Sequence, residues 1–144
     1  MIELDPDFYK QQINLRIAEI CYKLNNIDES FRTIEKVEDD LRDNDKYMLY
    51  LLKGKCYDKI RHYAKAAEEY KLALKASAVN NLDSEVIGQI EFRLGWSIIR
   101  SKINVSEGIE HLQKSTELCP DNTEIMVKLA GVLFQEKGSD EKSV

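Results

Sequence analysis

Apolar positions in this chain recur three and four residues apart, the spacing of helices, from about residue 10 to residue 134. The stretch from Tyr47 to Leu74 shows it best. Two amphipathic runs, Tyr47 to Ile60 and Tyr63 to Leu74, meet at Arg61-His62, a junction with room only for a tight antiparallel turn. The pattern predicts a helical hairpin. Gly54 falls in the middle of the first run, where glycine costs about 1 kcal/mol relative to alanine, so a close packing contact is expected to compensate. Tyr57 follows one turn later on the same face, and Ala66, Tyr70 and Ala73 are spaced along the second run.

Similar signals run along the rest of the chain. Asp5-Pro6 starts a first helix with a capping acceptor followed by proline at the first helical position. That helix is expected to reach Leu24, with Ile13, Ile17, Ile20 and Leu24 on one stripe and Cys21 beside it. Asn25-Asn26 breaks it, and a second helix runs to about Arg42, capped through Asn26 and Glu29. Asp43-Asn44-Asp45 reads as a polar turn. The longest connection is expected from Asn80 to Ser84, with Asp83 or Ser84 capping a fifth helix that ends near Ser101. Asn104 or Ser106 starts the sixth, and Cys119-Pro120 closes it.

The small and apolar marks of the central hairpin recur at matched intervals. Ala18, Gly54, Gly95 and Ala130 are separated by 36, 41 and 35 residues, Ser30, Ala66 and Gly108 by 36 and 42, and Ile34, Tyr70 and Leu112 likewise. Both helices of each pair slip together, so the chain is repetitive. The set Tyr50, Gly54, Tyr57, Tyr63, Ala66, Tyr70 and Ala73 resembles the signature of the tetratricopeptide repeat (TPR), a helix-turn-helix unit of 34 residues. Lys53 departs from it, standing where the family prefers leucine, and Arg61 replaces the usual turn glycine. Leu94-Gly95 and Pro120 are the family marks of the third repeat.

The resemblance implies an all-α, right-handed superhelical array of α-α hairpins with about seven helices. It divides residues 1–136 as one domain, with repeats at about 11–44, 47–80 and 88–122 and an end helix at 122–136. The tail, 137–144, lacks apolar periodicity and is expected to be disordered. The end helix is unusual, because Ile125, Met126, Val127, Leu129, Ala130, Val132, Leu133 and Phe134 occupy most of its circumference. A helix apolar nearly all round is normally covered on both sides. It is therefore expected to meet another protein, to pack on a second copy, or to be the first half of a further repeat, with Met126, Val127 and Phe134 as its interface.

In the family, the first helices of the repeats line a concave groove that holds a partner. By position, this implies groove residues Leu15, Tyr22, Met48, Leu51, Lys55, Lys59, Phe92, Trp96, Ile99 and Arg100, an apolar middle with a basic fringe. Family members that bind the acidic tails of chaperones use a clamp of lysine, asparagine and arginine. Its places here hold Leu15, Glu19, Leu52, Gln89 and Arg93, of which only Arg93 matches; one repeat later they hold Leu51, Lys55, Arg93, Glu124 and Lys128. Chaperone C-terminal tails are accordingly disfavoured as partners.

Composition narrows the classes further. A net charge of −5 argues against nucleic acid, whose binding is chiefly electrostatic. No apolar run approaches the roughly 18 residues that cross a bilayer, and the acidic Met1-Ile2-Glu3-Leu4-Asp5 start is unlike a secretory leader. No membrane association is expected, and the cytoplasm is the expected location. Cys21, Cys56 and Cys119 are odd in number and never form a CxxC pair, as suits small apolar residues in a reducing compartment. No metal site or cofactor is implied. Catalytic patterns are missing as well. The histidines are His62, in a turn, and His111, expected on an exposed stretch; Cys56 and His62 do not share a helix face; Glu38-Asp39-Asp40 and Glu68-Glu69 read as solvated. The expected function is a non-catalytic adaptor holding a peptide or helix of another protein in the groove. The alternative is an assembly module, for example a homodimer, built through the end helix.

Overall fold

The computed structural model describes residues 6–37, 43–79 and 82–142. Among them are seven helices and no strand: α1 (Pro6–Lys23), α2 (Ile27–Val37), α3 (Asp43–Lys59), α4 (Tyr63–Val79), α5 (Ser84–Ser101), α6 (Val105–Leu118) and α7 (Thr123–Lys142). The fold is the all-α array of hairpins that the repeat pattern implies, with α1–α2, α3–α4 and α5–α6 as its pairs. Asp5 as a cap, the acidic run 38–40, the end of the second helix through Arg42, Asn80-Asn81 and residues 143–144 lie outside the described residues.

Two boundaries differ from expectation. Asp43 and Asn44 belong to α3 instead of a turn, a placement that suits residue types favoured at helix starts by the backbone dipole. At the other end α7 continues to Lys142, through residues expected to be disordered; a helix already nucleated gains one backbone hydrogen bond for each residue it adds. The chain falls into two compact units, Met1–Asn80 and Asn81–Val144. The division coincides with the longest predicted connection, the kind of place where few contacts cross.

In the first unit, α1 packs on α2, α2 on α3 and α3 on α4. Leu15 and Ala18 of α1, Ile27, Ile34 and Val37 of α2, and Leu49, Leu52 and Cys56 of α3 form one buried cluster. Ser30 ties the first hairpin by donating to the Ala18 carbonyl at 2.8 Å. In the second hairpin, the ring of fully buried Tyr70 occupies the space a side chain at Gly54 would need. That contact is the one expected to compensate the glycine. Lys53, the departure from the family pattern, bonds Glu69 of α4 at 3.5 Å, each side chain only 15% exposed. Glu69 is therefore not a solvated carboxylate, since a charged group on α3 draws it into the hairpin.

In the second unit, α5 packs on α6 and α6 on α7. The α5–α6 crossing is close enough that a Cβ on Gly95 would stand 2.7 Å from the Gly108 carbonyl oxygen. Ser115 donates to the Gly88 carbonyl at 2.8 Å in the same hairpin. Ile90, Leu94, Leu112 and Ile125 are buried around it. Asp83, Asn104 and Asn122 accept the N–H groups of Glu85, Glu107 and Ile125, capping α5, α6 and α7.

The tight turns share one construction. Asn25, Arg61 and Lys102 follow the first helix of each hairpin with φ of 64°, 66° and 61°, in the left-handed region. Their N–H groups donate to Tyr22, Asp58 and Ile99. Asn26 and His62 donate back to Cys21 and Tyr57, completing Schellman motifs that satisfy the last carbonyls of α1 and α3.

The fourth member of the small-residue series behaves differently. Ala18, Gly54 and Gly95 are buried, but Ala130 is exposed. Gly54 and Gly95 face the second helix of their own hairpin, whereas among the described residues no helix follows α7.

Candidate partner-binding surfaces

The first unit divides its six predicted groove residues between core and surface. Leu15 is buried in the main cluster and has no surface to offer a partner, because its face of α1 turns towards α2 and α3. Tyr22 and Met48 are partly buried and pack against that same cluster. Leu51 and Lys55 are half-buried and Lys59 is exposed, all on α3. Lys55, Lys59 and Leu51 thus remain as a mixed apolar and basic face.

In the second unit, Phe92 and Trp96 are one turn apart on α5 and both half-buried. Trp96 of α5 is met by a side chain of α7. Lys128 of α7 places its Nζ 4.8 Å from the centre of the indole ring, and the Arg100 guanidinium lies 6.0 Å away. A cation over an indole face gains about 0.5–1 kcal/mol at an exposed site, so these contacts fix the ring and leave a positive rim beside an apolar face. Ile99 goes elsewhere. It is half-buried, and its Cγ1 and Cδ1 fill the space over Gly108, which makes it a packing residue of the α5–α6 crossing. Arg100 is exposed.

On α7, Ile125 and Val132 are buried while Val127 and Phe134 are 69% and 79% exposed and Met126 is 43% exposed. Gly131, beside them, has nothing within 4 Å of where a Cβ would stand. The helix thus covers α6 with one stripe and presents a second apolar stripe outwards.

Sequence reasoning missed two features. His111 is not on an exposed stretch: its Nδ1 lies 2.5 Å from Oε2 of Glu91, and the two side chains are 15% and 8% exposed. The pair spans twenty residues of sequence, a separation that no local motif marks. The other is α1, whose stripe of Ile13, Ile17, Ile20 and Leu24 faces outwards, opposite the core.

Two of the thiols, Cys56 and Cys119, lack the environment of nucleophiles. Burial pushes the Cys56 thiol above its ordinary pKa, against smaller opposing effects of Ser30 and Lys55. Burial also raises Cys119, helped by the Glu85 and Asp83 carboxylates, which line an acidic cleft beside it with Asp121. A raised pKa leaves less thiolate, the attacking form. His62, the histidine nearest Cys56 in sequence, is exposed in the turn. Among the described residues no cluster of histidine, cysteine and carboxylate ligands is assembled to hold a metal. No helix there is long and apolar enough to cross a membrane.

Hairpins of this kind, joined by left-handed turns and crossing at glycine and alanine, define a helical-repeat protein. Residues 49–80 match the family model described as tetratricopeptide repeat. That match falls on the central hairpin, α3–α4. The fold is similar to that of the N-terminal domain of stress-induced protein-1 (STI-1) from C. elegans, with a TM-score of 0.75 over 90% of this chain and 98% of that one. Identity between the two is 14%, so the likeness concerns the fold. No curated protein matches the chain by sequence.

Proposed function

We propose that this chain is a non-catalytic protein-protein interaction module, a reading supported by the tetratricopeptide-repeat match over its central hairpin. It holds a peptide or helix of another protein against α5, with Phe92 and Trp96 as apolar anchors. Lys128 and Arg100 would meet an acidic group of the same partner. The observation carrying this reading is the half-buried Trp96 indole under the Lys128 ammonium at 4.8 Å; partly desolvated tryptophan and arginine commonly dominate interfaces. Leu51, Lys55 and Lys59 of α3 would serve as a second contact face in the first unit. The three free thiols, Cys21, Cys56 and Cys119, suit a reducing compartment, and we place the protein in the cytoplasm.

A second reading is favoured by the outward stripe of α7, where Val127 and Phe134 are mostly exposed. In it, α7 pairs with a second copy or a larger subunit. Affinity purification with mass spectrometry identifies the captured protein, and Trp96→Ala and Val127→Asp then separate the readings. Loss of capture on Trp96→Ala, with molar mass by light scattering unchanged, supports the α5 surface. A fall in mass on Val127→Asp supports assembly. If neither substitution alters capture or mass, both readings fail.

A further inference from the structure

Helix α1 is apolar on two opposite faces. Leu15 and Ala18 point into the first unit, while Ile13, Ile17, Ile20 and Leu24 are 56%, 42%, 54% and 75% exposed. At 100° per residue these four fall within about 60° of one another, a straight row over three turns. Their spacing is 4, 3 and 4 residues, the seam period of helices that pair side by side. Four neighbouring aliphatic side chains are more than the scattered apolar residues of an ordinary surface.

The charges bordering this row share one sign. Lys10 lies on one side and Arg16 and Lys23 on the other, all exposed. Glu19 is further round the helix and bonds Arg16 at 4.0 Å and Lys23 at 3.4 Å, which leaves the basic residues next to the seam. Pairing with a second copy would set these like charges against each other or against the neutral Asn14 and Cys21. An anionic bilayer would be repelled by the chain as a whole, at net charge −5.

We infer that the outer face of α1 docks an amphipathic helix of another protein whose apolar seam is bordered by acidic residues. The site lies on the first unit, and the inference does not rest on the reading of the Trp96 surface of the second. Its test uses the full chain and a designed three-heptad peptide with a leucine and isoleucine seam, labelled for fluorescence anisotropy at concentrations where it is monomeric. One version carries glutamate at the flanking positions and the other lysine. The glutamate peptide is expected to bind about tenfold more tightly, the sum of a few exposed ion pairs, and the preference should shrink with added salt. Lys10→Glu with Lys23→Glu should invert the preference. Ile17→Asp should abolish binding of both peptides with the circular dichroism of the chain unchanged, because the side chain it alters is not in the core. Equal affinity for the two peptides, no binding of either, or loss on Val127→Asp in place of Ile17→Asp would overturn the inference. So would binding only to phosphatidylserine vesicles, or a dimer by light scattering that Ile17→Asp dissolves.

Discussion

Substituting alanine at Gly95 and at Gly131 makes one chemical change with opposite expected outcomes. Both residues lie inside helices, where alanine is better than glycine by about 1 kcal/mol. At Gly131 nothing lies within 4 Å of the new methyl group, so the whole gain should appear and Gly131→Ala should stabilise by about 1 kcal/mol. At Gly95 the methyl would stand 2.7 Å from the Gly108 carbonyl oxygen and 3.1 Å from the Leu112 nitrogen. Both are backbone atoms of α6, so relief requires the helices to separate and not a side chain to rotate. Overpacking costs roughly 1–3 kcal/mol, and a contact with backbone belongs at the upper end. Subtracting the propensity gain leaves Gly95→Ala destabilised by about 2 kcal/mol. Urea denaturation followed by far-ultraviolet circular dichroism measures both. If Gly95→Ala proves as stable as Gly131→Ala, the close α5–α6 crossing is wrong, and with it the reason for the repeated small residues.

Three further outcomes follow from other parts of the structure. Arg61→Gly should stabilise by about 1 kcal/mol in the same assay, because Arg61 has φ of 66° and a side chain there costs about that much. Lys53→Met should destabilise by about 1–2 kcal/mol by leaving Glu69 half-buried without Lys53, while Lys53→Met with Glu69→Leu should recover most of the loss; a double-mutant cycle checks this. In native protein Cys21, half-buried, should be alkylated before Cys56 and Cys119. Those two should have rate profiles displaced to higher pH than a free thiol, since a raised pKa lowers the thiolate fraction at any given pH; mass spectrometry of time-resolved labelling reads the order.

The hairpins were legible in the sequence because helix packing at close range tolerates few residue types. Gly54 with Tyr70, and Gly95 with Gly108, report that constraint directly, and their intervals carried the repeat register. The binding surfaces were less legible, because periodicity identifies an apolar stripe without saying which way it faces. Leu15 and the Ile13 row lie on opposite sides of α1, and only packing against α2 and α3 decides that the first is core. The place of Ile99 in the repeat predicts a groove residue, but the absence of a side chain at Gly108 draws it into the hairpin. Glu91 and His111 meet across two helices, where sequence distance hides the pair.

Trp96 is the single tryptophan of the chain, so its fluorescence reports on the proposed contact without a label. Titrating the chain with the protein it captures in affinity purification, while following indole emission and acrylamide quenching, tests the account most directly. Emission should shift to shorter wavelength and quenching should fall as the partner covers the ring beside Lys128. Saturating binding that leaves both emission and quenching unchanged would place the partner elsewhere and contradict the account.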